Sequence, residues 1–112
     1  MVDAWDVDLA GEVVVDGSDV YVTVVGEIDL ASGAALQARL DHAVATTAGT
    51  VVLDLAGVGF IDSSGLRVLV EMRRRLAAMN RSMRVDDPSA PTRRLLKLTG
   101  LGPELGVVDD AV

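Results

Sequence analysis

Apolar positions change period several times along the chain, and each change marks an element. Glu12–Asp16 and Val20–Val25 are runs of β-branched residues, with Gly17, Ser18 and Asp19 as a turn between them. Together they predict a β-hairpin. Val7 and Leu9 suggest a short strand before it. After Gly26-Glu27-Ile28-Asp29 the period lengthens. Leu36, Leu40, Ala43 and Val44 recur at helical spacing, with Ser32 placed to cap the start and residues 46–49 closing the helix. Thr50–Leu55 is short and almost continuously apolar, which suits a strand covered on both faces. Residues 56–61 hold two glycines and are predicted as a loop.

A second helix is predicted from Ser64 to Met79, with Leu66, Leu69, Val70, Leu76 and Met79 along its buried stripe. Arg73, Arg74 and Arg75 interrupt that stripe, and two of them are expected to face solvent. Residues 82–85 form a weaker strand in which Met83 and Val85 alternate with polar neighbours. Residues 87–91 make a turn and cap for a third helix, Thr92–Thr99, carrying Leu95, Leu96 and Leu98 and ending at Gly100. Leu101, Leu105, Val107 and Val108 are apolar tail positions able to dock or add a strand. Strands open the chain, then helix and strand alternate. The expected architecture is an α/β domain with a small mixed β-sheet and helices packed on it.

Composition narrows what such a domain can do. The 112 residues fit one domain, 1–112, and half are hydrophobic with only 3% aromatic, so the core must be aliphatic. There is no cysteine, which excludes disulfides and thiolate metal sites and fits a reducing compartment. Asp3 and Asp6 stand where a signal peptide needs a basic start and an apolar run, and no stretch has the length of a membrane span. The expectation is a cytoplasmic protein. A formal net charge of −7 argues against direct binding to a phosphate backbone and no membrane association is expected.

Enzyme chemistry finds little support. A serine nucleophile needs an adjacent base, and the one histidine, His42, falls on the exposed side of the first helix. A single His without Cys assembles no metal cluster. Gly57 and Gly59 lack the Lys-Ser/Thr of a phosphate-binding loop. Asp54 near a strand end could suggest a phosphoaspartate receiver, but the acidic pair that such a domain carries on its first strand is missing. No cofactor and no catalytic residue is predicted.

The remaining signal is the run Phe60-Ile61-Asp62-Ser63-Ser64-Gly65-Leu66, where a strand-loop unit meets a helix. The first N–H groups of a helix lack internal partners, and Asp62 or Ser63 can accept from them. A serine there is exposed at the carboxyl end of a sheet, where open α/β folds place their sites. Capping by itself accounts for both residues and is the commoner role.

Three blocks add a second role. Val24-Val25-Gly26-Glu27-Ile28-Asp29, then Val52-Leu53-Asp54-Leu55 with Val58 and Phe60–Leu66, then Arg94–Leu101 resemble, in order, the signature segments of the STAS domain family. The resemblance covers residues 13–101 and is nearest to bacterial anti-sigma factor antagonists. It implies a STAS-like fold and a protein that is not an enzyme. It also implies an anti-sigma factor partner that doubles as a serine kinase and is released when Ser63 is phosphorylated, with a metal-dependent serine phosphatase reversing the mark. It implies that Asp29 lies near the phosphoacceptor and contacts the partner; with the neighbouring Asp62, Ser64 and Gly65, the expected partner-binding set is Asp29, Asp62, Ser63, Ser64 and Gly65. STAS domains also serve as scaffold units of stress-signalling assemblies and as parts of transport systems, which is the alternative reading. The polar stretch Asn80–Asp87 departs from the family, whose members are more apolar there.

Overall fold

The computed structural model describes residues 2–107. Strand β1 is Asp3–Ala4, β2 is Leu9–Asp16 and β3 is Asp19–Ile28. Helix α1 is Leu30–Ala45, β4 is Val51–Ile61 and α2 is Ser63–Ala78. Strand β5 is Met83–Asp86, α3 is Ala90–Thr99, and a 3-10 turn spans Pro103–Leu105. The strands lie in sequence order in one sheet. β1, β2 and β3 pair antiparallel, whereas β3–β4 and β4–β5 pair parallel. Each parallel pair is joined by a helix, as a same-direction return requires.

The expected hairpin is present, closed by the facing pair Asp16 and Asp19. Leu9 belongs to β2 and is buried, while the preceding short strand is Asp3–Ala4 and Val7 is 94% exposed. The core is aliphatic, with Val20, Val22, Val24 and Ile28 of β3 and Val51, Leu53 and Leu55 of β4 beneath Leu36, Leu40, Leu69 and Leu76 of the helices.

The largest departure concerns residues 56–61. They continue β4 as a strand, pairing with β3 through Val25↔Gly57, Gly26↔Val58, Glu27↔Phe60 and Ile28↔Ile61. The register shifts between Thr23 and Val25 and again between Gly26 and Glu27. Gly57 and Gly59 stand at these irregularities. A glycine inside a strand marks a bulge as readily as a break. Asp54 therefore lies in mid-strand, its carboxylate accepting from the Ala56 amide at 2.9 Å, away from the strand end that a phosphoaspartate reading needs.

Smaller corrections follow from packing. Met79 is the C-cap of α2 and 47% exposed, and the stripe runs through Met72, which is fully buried. Arg74 and Arg75 face solvent, and Arg73 is half-buried with its Nη1 enclosed. α3 begins at Ala90 with Pro91 in its first turn, and Leu98 points to solvent. Gly100 ends it in the left-handed region at φ 72°. Leu105 and Val107 enter the core; Val108 lies outside the described residues.

The polar stretch after α2 has a structural use. Arg81 spreads its guanidinium over the end of α1, with Nη1 donating to the Val44 carbonyl at 2.8 Å, Nε to the Gly49 carbonyl at 2.9 Å and Nη2 to Thr47 Oγ1 at 2.9 Å. It satisfies a helix-end carbonyl and places a cation at the negative pole. Arg81→Ala is expected to destabilise the fold by about 1–3 kcal/mol, with Arg81→Lys recovering only part because it lacks the planar fork. Urea unfolding should show the midpoint falling at unchanged slope; an unmoved midpoint would remove Arg81 from the stability account.

Candidate functional site: two aspartate caps and a free serine

The site grows out of one register pair. β3 and β4 run parallel and end together at Ile28 and Ile61. The next residue of each strand is an aspartate, and each aspartate starts a helix. The Asp62 amide donates to the Ile28 carbonyl at 3.2 Å, tying the two junctions side by side. Adjacent strands lie about 4.8 Å apart, so the pairing alone makes Asp29 and Asp62 neighbours on one edge of the sheet. The helices that follow pack against each other, with Gly33 of α1 close to Val68 of α2.

Both aspartates are helix N-caps in extended backbone. Asp29 Oδ1 accepts from the Ser32 amide at 2.9 Å, and Ser32 Oγ accepts in return from the Asp29 amide at 3.0 Å. This is a reciprocal capping box. Ser32 is thus the third helical residue of α1 and not its cap; its hydroxyl also donates to the Glu27 carbonyl at 2.6 Å. These bonds, the Ser32 amide first, hold the Asp29 carboxyl below the ordinary aspartate range against an opposing desolvation cost. Asp29 therefore stays ionised at neutral pH.

Asp62 Oδ1 accepts from the Gly65 amide at 3.0 Å. Of the two capping candidates, the aspartate has the role. Ser63 is the first helical residue of α2, exposed, and its hydroxyl forms no hydrogen bond among the described residues. Ser64 is half-buried one position on. Gly65 is buried and faces inward, where an added Cβ would stand 2.5 Å from Ile28 Cγ2 and 2.7 Å from the Ile28 carbonyl oxygen. Its bare backbone lets α2 start directly on β3.

The five sequence-predicted residues thus share one edge. Asp29, Ser63 and Ser64 line a groove between the helix starts, Asp62 holds α2 in place, and Gly65 sits beneath it. The groove adds residues that the sequence pattern did not single out. Leu30, the first residue of α1, is 80% exposed there. A single exposed leucine is ordinary on a protein surface, so its interest here is only that it lines the same groove as Asp29 and Ser63. Its signal in the sequence is an isolated leucine directly after a cap. Arg67 lines the same groove and also the one on the other side of Ser63. His42 is exposed in the last turn of α1, away from these residues. Among the described residues no cluster of His, Asp or Glu is built to hold a metal, and no helix is long and apolar enough to cross a membrane.

Several known proteins are similar to this chain in sequence or fold. The chain is 29% identical over 85 residues to an anti-sigma F factor antagonist of Lysinibacillus sphaericus, a match covering 75% of this chain and 73% of that one. The crystal structure of an anti-sigma factor antagonist from Mycobacterium paratuberculosis is similar with a TM-score of 0.79 at 29% identity, over 90% of this chain and 86% of that one. The Bacillus cell fate determinant SpoIIAA in its phosphorylated form gives a TM-score of 0.67 at 22% identity, over 90% and 93%, a likeness of fold. The five-stranded mixed sheet with three helices is thus the architecture of these antagonists. A family model described as "Mlab, STAS domain" matches residues 7–108, and the chain belongs to the STAS domain family.

Proposed function

We propose that this protein is an anti-sigma factor antagonist working by partner switching. In its unphosphorylated form it captures an anti-sigma factor that is also a serine kinase, which frees a sigma factor for transcription. Phosphorylation of Ser63 ends the complex, and a serine phosphatase restores it. The chain acts as a binding protein in the cytoplasm and carries out no catalysis of its own; contact with nucleic acid is left to the sigma factor.

One observation carries the reading: Asp62 takes the cap, so the Ser63 hydroxyl is left exposed and unbonded at the first position of α2. A serine that capped the helix would have to give up its bond to be modified. The modification adds about −1.5 to −2 charges. The helix start accepts an anion because its free N–H groups and its dipole favour one. The fold thus tolerates the phosphate, whereas a partner packed against Leu30 and the groove meets a new, hydrated dianion beside the ionised Asp29.

The test is chemical. The purified protein is incubated with ATP and each anti-sigma factor kinase encoded in the same genome, and the modified position is mapped by mass spectrometry. A single phosphate on Ser63 is expected. Phosphate at Ser64 or elsewhere, or no transfer from any of these kinases, overturns the proposal and favours a scaffold role.

A further inference from the structure

Arg67 lies four residues after Ser63 on α2, one turn along the same face. Helical side chains lean toward the N-terminus, so a long side chain at this position lies back over Ser63. Arg67 accordingly lines both grooves that flank the serine. The other solvent-facing arginines of α2 are already engaged, Arg74 with Glu104 at 2.7 Å and Arg75 with Asp41 at 2.8 Å. Arg67 is exposed and forms no ion pair or hydrogen bond among the described residues. Glu71, one turn beyond it, is in the weaker order for a helix pair, with the cation N-terminal to the acid.

We propose that Arg67 is the intramolecular receiver of the Ser63 phosphate, binding it through the guanidinium fork. The proposal rests on the reading of Ser63 as the phosphoacceptor. Arg is suited to this because its planar donors match two phosphate oxygens at once. The surrounding charges favour that side: Asp29 forms the far wall of the groove between the helix starts, and Asp62 sits behind the serine. Both repel the phosphate, leaving Arg67 as the cation that shares both grooves with it and has no ion pair of its own among the described residues, with Glu71 as the competing acid. Phosphorylation then changes two charges at once. A dianion appears, and a guanidinium available to a partner is withdrawn into an internal pair.

The experiment installs phosphoserine at position 63 during translation, so no kinase is needed, and follows the phosphate by 31P NMR against pH at physiological salt. Arg67→Gln is expected to move the second ionisation to higher pH, a roughly two- to fivefold change in the constant. Arg67→Lys should fall between Gln and the natural residue. Arg75→Gln is the control, roughly 18 Å along the helix axis and beyond the Debye length of about 8 Å, and should leave the titration in place. Superimposable curves for Arg67→Gln and the natural sequence overturn the proposal, as does an equal shift from Arg75→Gln. A failure of the phosphoacceptor reading would appear elsewhere, as absence of kinase transfer to Ser63, and would leave this titration interpretable.

Discussion

Ser63→Glu is expected to weaken capture of the anti-sigma factor by roughly 10- to 100-fold while thermal stability stays nearly unchanged. The two halves of that expectation come from different sides of the same residue. On the inner side, the Ser63 hydroxyl contributes no hydrogen bond to the fold among the described residues, and an acid in the first turn of a helix is mildly favourable. On the outer side, a carboxylate enters a groove that already holds the ionised Asp29, so a partner must desolvate two like charges or leave them facing its own surface. Titration calorimetry against the purified anti-sigma factor, with thermal melts of both proteins, reads both quantities. Ser63→Ala should bind as the natural sequence does and resist release by ATP. Equal affinity of Ser63→Glu and Ser63→Ala would remove the electrostatic switch.

Gly65→Ala is expected to cost about 2–4 kcal/mol and to lower Tm by roughly 10 °C or more. Helix propensity alone predicts the opposite sign, since alanine is favoured over glycine by about 1 kcal/mol in a helix. Close packing decides against it. The new Cβ would press on Ile28, a fully buried residue, at both Cγ2 and the backbone oxygen. That oxygen accepts from the Asp62 amide, so the start of α2 must lift away from β3 and strain the Asp62 cap with it. Gly33→Ala in the first turns of α1 is the matched comparison. Its added Cβ meets only Val68 Cγ2, at an ordinary 3.6 Å, so the propensity gain should survive and Tm should hold or rise. Equal effects at the two glycines would mean that the approach of α2 to Ile28 is not tight.

The two expectations separate the roles at this edge. If both hold, Ser63 acts on what lies outside the fold and Gly65 on what lies beneath. A loss of binding in Gly65→Ala without loss of stability would move Gly65 into the contact surface itself.

Much of the architecture is legible in the order of residues alone. The hairpin and the helices α1 and α2 follow from period and turn residues, because burying one face imposes that period on the chain. Sequence pattern misleads where two local causes look alike. Gly57 and Gly59 break a strand pattern and bulge a strand equally well, and only pairing with Val25 and Glu27 shows which occurred. Ser32 and Asp29 are both good caps, and the backbone angles decide which one stands outside the helix. Met79 fits the helical stripe as well as Met72 does, but the helix ends before it.

The site divides in the same way. The run around Ser63 names the residue types, and their order carries the family resemblance, because helix starts and strand ends are written in a few adjacent residues. Three things depended on the tertiary structure. The parallel register of Ile28 with Ile61 placed Asp29 beside Asp62, though they are far apart in the chain. The cap geometry assigned the helix end to Asp62 and left the Ser63 hydroxyl free. The ion pairs with Asp41 and Glu104 engaged two arginines of α2 and left Arg67 over the serine. Local propensity can fix the period of an element and the residues at its ends. Which groups meet, and which remain unpaired, is set by long-range packing that no short window of sequence contains.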